Sequence, residues 1–327
     1  MSSGGTLRRR AVSITGLLVA VVLGTALFLP VVALLVLVDL FRGLVRLPLA
    51  RLVSFGLCWA WLEAAGVAAA VGLWLTGRAG DRASHYRLQR WWADRLMGAL
   101  RITCGVTIHV EGVEALHPAP VVLLVRHASL ADSLLTAWVV TQHHLQPRFV
   151  LKRELLADPC LDIVGNRLPN CFLDRQAEDS GPGLARIAEL AATMDASSAC
   201  VIFPEGTRAN AAKRRRALAR IGERDLERAE RLAGLRHLLP PRPAGTRALL
   251  EGAAAVEATV VVGWHVGFDG LDNFGAVLAA LARPRTPIRI SFRQVEPPTN
   301  LYGPEFGRWL DDLWLELDRG VERLEEG

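Results

Sequence analysis

Apolar and polar positions change regime twice along this chain. Residues 11–38 carry no charged side chain, and residues 52–76 carry one, Glu63. Either run is long enough for a helix to cross a bilayer core of roughly 30 Å. Pro30 predicts a kink in the first. From about residue 81 the pattern alters. Residues 82–100 set Trp91, Trp92, Leu96 and Leu100 among the apolar positions of an amphipathic helix. After it, short apolar runs alternate with helical periodicity. Strands are predicted near 105–110, 121–125, 148–151, 171–173, 199–203, 259–264 and 288–292. Helices are predicted near 131–142, 183–194, 209–234, 245–257 and 304–324. This alternation predicts an α/β fold, a mixed sheet flanked by helices. Two domains are expected: an N-terminal membrane-anchoring helical hairpin over 1–80 and an α/β domain over 81–327.

Basic residues stand at every apolar boundary. Arg8, Arg9 and Arg10 precede the first run, Arg42, Arg46 and Arg51 lie between the two, and Arg78, Arg82, Arg87 and Arg90 follow. Positive-inside asymmetry is therefore weak, and it favours both ends of the hairpin on the cytoplasmic side. The expected location is the inner (cytoplasmic) membrane, with the α/β domain facing the cytoplasm. A spanning hairpin and one lying in a single leaflet both fit. Glu63 reads either as a protonated or packed side chain or as part of an intramembrane site.

Composition excludes several classes. The chain has 38 basic and 33 acidic residues, a formal charge of +5. It has neither zinc-finger spacing nor an interleaved aromatic and basic signature, so no nucleic-acid partner is expected. Five scattered cysteines without a CxxC suit a reduced compartment and packing roles. His143-His144 lacks a third ligand at useful spacing, and no metal site is expected. No glycine-rich nucleotide loop occurs.

Two strand ends carry the chemistry. The run 121–125 stops at Arg126-His127, and Asp132 follows five residues after His127. A turn at that spacing can return the carboxylate to one imidazole nitrogen, leaving the other to accept a proton. Alone the pair says little, since His109 and Glu114 share the spacing and Asp132 also suits a helix cap. The run 199–203 leads into Pro204-Glu205-Gly206-Thr207-Arg208. There a glycine permits close backbone approach, and a guanidinium is matched to bidentate phosphate binding.

Arg126-His127-Ala128-Ser129-Leu130-Ala131-Asp132 and Phe203-Pro204-Glu205-Gly206-Thr207-Arg208 together resemble the glycerolipid acyltransferase family. The likeness is to its 1-acylglycerol-3-phosphate acyltransferases, with their His-x4-Asp and Phe-Pro-Glu-Gly-Thr-Arg motifs. Phe172-Leu173-Asp174-Arg175 is similar to the family's Phe-x-x-Arg element. Leu238-Leu239-Pro240-Pro241-Arg242 resembles an element of the lysocardiolipin acyltransferase-like branch. The resemblance covers about residues 95–300. It implies that His127 and Asp132 are catalytic and that Arg175, Glu205, Gly206, Thr207 and Arg208 hold the acceptor. It also implies acyl-CoA or acyl-ACP as co-substrate, with acyl carrier protein a partner in the second case, and no metal or redox cofactor. The implied acceptor is 1-acyl-sn-glycerol-3-phosphate, giving phosphatidate. Alternatives are another lysophospholipid, lysocardiolipin-type included, and a non-catalytic membrane lipid-binding protein. The chain departs from the family in two places. Arg126 stands where Asn is common, and a long charged segment beginning Lys213-Arg214-Arg215-Arg216 follows Arg208. That segment reads as a solvated helix or as a contact with a membrane surface or donor phosphate.

Overall fold

The computed structural model describes residues 3–129, 131–174, 181–268, 271, 273–283 and 287–326. In chain order the elements are α1 (Ser3–Ala26), α2 (Phe28–Phe41), α3 (Pro48–Leu75), α4 (Arg82–Cys104), β1 (Ile108–Glu111), β2 (Val121–Val125), α5 (Asp132–Gln142), β3 (Gln146–Lys152), α6 (Pro159–Gly165) and β4 (Cys171–Leu173). There follow α7 (Gly181–Ala192), β5 (Ser198–Ile202), α8 (Ala211–Gly222), α9 (Leu226–Leu232), α10 (Pro243–Ala254), β6 (Thr259–Val266), α11 (Phe274–Leu281), β7 (Ile288–Gln294) and α12 (Pro304–Glu326). The chain groups into two compact units. One comprises Met1–Thr107, Leu151–Asp174 and Val277–Arg285, and the other Ile108–Val150, Arg175–Ala276 and Thr286–Gly327.

In the first unit, two helices, Gly5–Ala26 and Pro48–Leu75, are long and apolar enough to cross a membrane. Little of either apolar stretch is buried, and Leu18, Val22, Leu23, Trp61 and Trp74 are exposed. The uncharged run beginning at residue 11 breaks at Leu27. Pro30 has no N–H to donate and its ring crowds the carbonyl of Ala26, so the interruption falls one turn ahead of the proline. The second half of α3 packs inward. Val67 and Ala70 join Tyr86, Cys160, Ile163 and Val164 in one buried cluster. A Cβ on Gly66 would stand 2.5 Å from Cys160 Sγ, so only glycine lets α3 lie this close to α6. Glu63 is buried and accepts a hydrogen bond from Trp59 Nε1 at 3.2 Å. Asp162, fully buried on α6, receives Arg9 Nη2 at 2.9 Å and Arg10 Nε at 3.1 Å. Two basic residues at the start of α1 therefore serve a buried carboxylate, which would be costly without them.

In the second unit, the strands run in the order β1-β7-β6-β2-β5-β3. All neighbours are parallel except β6 and β7, which makes the sheet mixed. β2 is central, and every one of its residues is 0% exposed. Buried on both faces, it needs the unbroken Val/Leu run that the sequence shows. Val121 to Leu124 pair with Ala199 to Ile202 on one side, and Val121 to Val125 with Thr259 to Gly263 on the other. The C-terminal ends of β2, β5 and β6 therefore lie side by side. In open α/β sheets that edge is where ligands bind.

Residues 209–234 form two helices rather than the single one predicted. The Asp225 side chain accepts from Arg228 N at 2.9 Å and starts α9 afresh. Arg228 also makes a two-pronged ion pair with buried Asp311 of α12, at 2.8 Å to each oxygen. No residue of α8 is buried. Trp314 packs fully inside and Trp309 stacks on Phe306, which gives both a packing role.

Candidate active site

His127 lies two residues past the end of β2, and Asp132 opens α5. The Asp132 carboxylate faces back toward His127. His127 Nδ1 lies 2.9 Å from Asp132 Oδ2. The backbone N–H groups of Ala128 and Ser129 donate to the same oxygen at 2.6 and 2.8 Å. The Ser129 hydroxyl donates to Oδ1. Asp132 is 0% exposed, whereas the His127 side chain keeps 18% of its surface open. A carboxylate oxygen can only accept here, so Nδ1 carries the proton and Nε2 is left as the basic nitrogen. Burial of Asp132 disfavours its charge. The His265 side chain and the hydrogen bond from His127 outweigh that and hold the carboxyl far below the usual range.

His265, on β6, escaped the sequence reading. Its Nε2 stands 3.2 Å from Asp132 Oδ1, and the residue is 0% exposed. The signal available was a histidine inside the apolar run Val260-Val261-Val262-Gly263-Trp264-His265-Val266, since a polar side chain buried in a strand needs a partner. Nothing in the spacing named that partner. Arg126 also finds its explanation. Its guanidinium, 1% exposed, donates to the His265 carbonyl, and its backbone N–H donates to Gly263 O at 3.0 Å. Arg126 thus clasps the end of β6 to the end of β2.

Glu205 has its carboxylate turned inward. Oε1 accepts from His127 N at 2.8 Å and Oε2 from Leu239 N at 2.9 Å. The next N–H groups upstream, those of Arg236, His237 and Leu238, all donate to buried Asp318 at 2.8 Å. Two carboxylates therefore fix the strip 236–239, and Arg242 N donates to Pro204 O at 2.9 Å. In this way the Leu238–Arg242 element is brought against the Phe203–Arg208 turn. Burial pushes the Glu205 carboxyl up to about 8, against the pull of its two N–H donors and Arg126. A folded-state value above the ordinary one gives stability that is complete below about pH 4.5 and is lost as pH rises through about 8. Glu205→Gln can accept from only one of the two N–H groups. It should unfold more easily, by about 1–3 kcal/mol, and its stability should vary less between about pH 5 and pH 9. Urea unfolding across that range checks both expectations.

Gly206 adopts φ +66°, and a Cβ there would stand 3.2 Å from the Arg242 guanidinium carbon. Thr207 and Arg208 follow it, both half-buried. Arg208 Nη1 is buried and has no hydrogen-bond partner among the described residues. An unpaired guanidinium N–H inside a protein is costly, and a bound anion would satisfy it. The loop returns to His127 once more, because Ala209 N donates to His127 O at 2.7 Å. Both backbone polar groups of His127 are thereby held by the turn after β5. The Phe203 ring lies 4.6 Å from the imidazole, centre to centre. Arg175 lies outside the described residues. The rest of its element is placed: Phe172 and Leu173 are in β4, and Asp174 pairs with Arg153 at 2.6 Å.

Residues 107–246 match the family model described as Acyltransferase. That stretch holds His127, Asp132 and the Phe203–Arg208 turn, so the chain carries an acyltransferase domain. Among solved structures the chain is similar to the crystal structure of the 1-acyl-sn-glycerophosphate (LPA) acyltransferase, PlsC, from Thermotoga maritima. The identity is 18% and the TM-score 0.48, over 75% of this chain and 81% of that one. A search of curated proteins gives no match.

Proposed function

We propose that the protein is a membrane-bound acyltransferase that moves an acyl group from acyl-CoA or acyl-ACP to the hydroxyl of a lysophospholipid. The acceptor in this reading is 1-acyl-sn-glycerol-3-phosphate and the product phosphatidate. The observation that carries it is the His127–Asp132 pair standing, within the acyltransferase domain, beside a turn whose Arg208 has a buried guanidinium nitrogen with no hydrogen-bond partner among the described residues. His127 Nε2 takes the proton of the acceptor hydroxyl, and Asp132 balances the imidazolium through Nδ1. The hydroxyl oxygen attacks the thioester carbonyl. The tetrahedral adduct collapses to the new ester, and the departing thiolate takes the proton back from the imidazolium. The scheme needs no metal or redox cofactor. Arg208, with Arg175, binds the acceptor phosphate, while Gly206 and Thr207 shape the turn against it. Glu205 contributes through the backbone of His127 and Leu239.

The apolar helices supply the second half of the proposal. Their outward-facing side chains suit a bilayer, and acceptors of this kind partition into one. Arg42, Arg46 and Arg51, between the two long runs, would attract anionic headgroups, by about 1 kcal/mol for each residue near the surface. In this reading the α/β domain works on the cytoplasmic side of the inner membrane.

Arg208→Lys tests the acceptor assignment. Lysine keeps the charge but loses the planar fork. Loss of a hydrogen bond to a charged group is worth about 1.5–3 kcal/mol, so KM for a phosphate-bearing acceptor should rise roughly ten- to hundredfold. Acceptor-free hydrolysis of the thioester should change much less. Equal damage to both reactions would assign Arg208 to the donor or to the fold. A panel of lysolipids, lysocardiolipin included, then ranks the headgroups.

A further inference from the structure

We infer that His265 is a positioning residue of this active site, holding the Asp132 carboxylate so that Oδ2 meets His127 Nδ1. The inference rests on the acyltransferase reading for its consequence in turnover, although the geometry stands apart from it. Asp132 can reach His127 productively only in the rotamer that points Oδ2 at Nδ1. Ala128 N and Ser129 N fix Oδ2 from the backbone side. Oδ1 is fixed by the Ser129 hydroxyl, and from the neighbouring strand His265 Nε2 stands against it at 3.2 Å without the alignment of a full hydrogen bond. A hydroxyl rotates freely about its bond, but an imidazole packed inside a central strand does not. His265 is itself held on two sides. Its carbonyl receives the Arg126 guanidinium, and Phe268 packs edge-on at 6.1 Å.

The charges facing this group come from three places. Arg126 and His127 lie at the end of β2, Asp132 opens α5, and Glu205 lies in the turn after β5. In this reading His265 faces the carboxylate with its Nε2–H.

The test uses the full chain in detergent micelles, labelled with 15N-histidine, with wild type, His265→Gln and His265→Leu compared. Gln places an amide N–H near the position of Nε2, and Leu removes the donor. In wild type, His265 should show the Nε2–H tautomer and His127 the Nδ1–H tautomer. The Gln variant should keep the His127 tautomer and a kcat near wild type. The Leu variant should populate Nε2–H on His127 and lose roughly ten- to hundredfold in kcat, as removal of one polar partner from a buried charge gives, with a smaller change in KM. The inference is overturned if wild-type His265 carries its proton on Nδ1, if the Gln variant loses as much as the Leu variant, or if the Leu variant keeps both the His127 tautomer and kcat. Should Leu prevent folding, the wild-type tautomer and the Gln variant still decide. If His127 responds to His265 while wild type acylates no lysophospholipid, the acyltransferase reading fails and the positioning role stands.

Discussion

His127→Ala should lower kcat by roughly 10²–10⁴-fold, the usual contribution of a general base, while the protein stays folded. The ring is the only part of His127 that the substitution removes. Its backbone N–H still donates to Glu205, and its carbonyl still accepts from Ala209. Loss of the contact with Phe203 occurs at a partly open position, where little apolar area leaves water. Thermal unfolding should therefore be close to wild type. A folded variant that turns over at near-wild-type rates would remove His127 from the chemistry.

Asp132→Asn should cost kcat about as much, by a different route. Four donors converge on this carboxylate, two backbone N–H groups and His127 Nδ1 on Oδ2 and Ser129 Oγ on Oδ1, while His265 Nε2 stands 3.2 Å from Oδ1. An amide has one oxygen and one NH2 to offer them. With its oxygen toward Oδ2's three donors, the NH2 meets Ser129 and His265. Ser129 can turn its hydroxyl to accept, and His265 can move its proton to Nδ1 and accept at Nε2. The fold then survives, but no negative charge remains to balance the imidazolium. With the NH2 toward His127 instead, the imidazole must take the Nε2–H tautomer and can no longer act as a base. Either arrangement predicts a loss of roughly 10²–10⁴-fold in kcat with a smaller change in KM. Steady-state kinetics on the folded variant checks it, and an unchanged kcat would leave Asp132 as a helix cap only.

Much of the sheet was legible before the structure because its central strands are buried on both faces. The runs predicted at 121–125 and 171–173 are the observed β2 and β4, and 199–203 differs from β5 by one residue at each end. Where a local device decided the outcome, periodicity misled. The helix expected to end at residue 100 runs to Cys104, because Gly105 at φ +63° caps it, and β1 starts only at Ile108. The Asp225 cap splits the charged segment after Arg208 in a way that its composition does not reveal. His127 and Asp132 were legible because they are close in sequence and the turn between them is short. Their support was not. His265 reaches Asp132 only because β6 lies beside β2, and strand order is a tertiary outcome. Glu205 appeared as a polar residue on a substrate loop. Its carboxylate instead binds two backbone N–H groups from separate segments, a role that depends on how the strip 236–239 is folded back.

The central claim is acyl transfer from a thioester to a lysophospholipid hydroxyl with His127 as base. Its most direct test is mass spectrometry of the lipids formed when the purified chain is given 1-acyl-sn-glycerol-3-phosphate and either acyl-CoA or acyl-ACP. Wild type should yield phosphatidate carrying the donor's acyl chain with at least one of the two donors, and His127→Ala should yield essentially none. No acylated product from wild type with any lysophospholipid and either donor, or equal product from His127→Ala, would contradict the account.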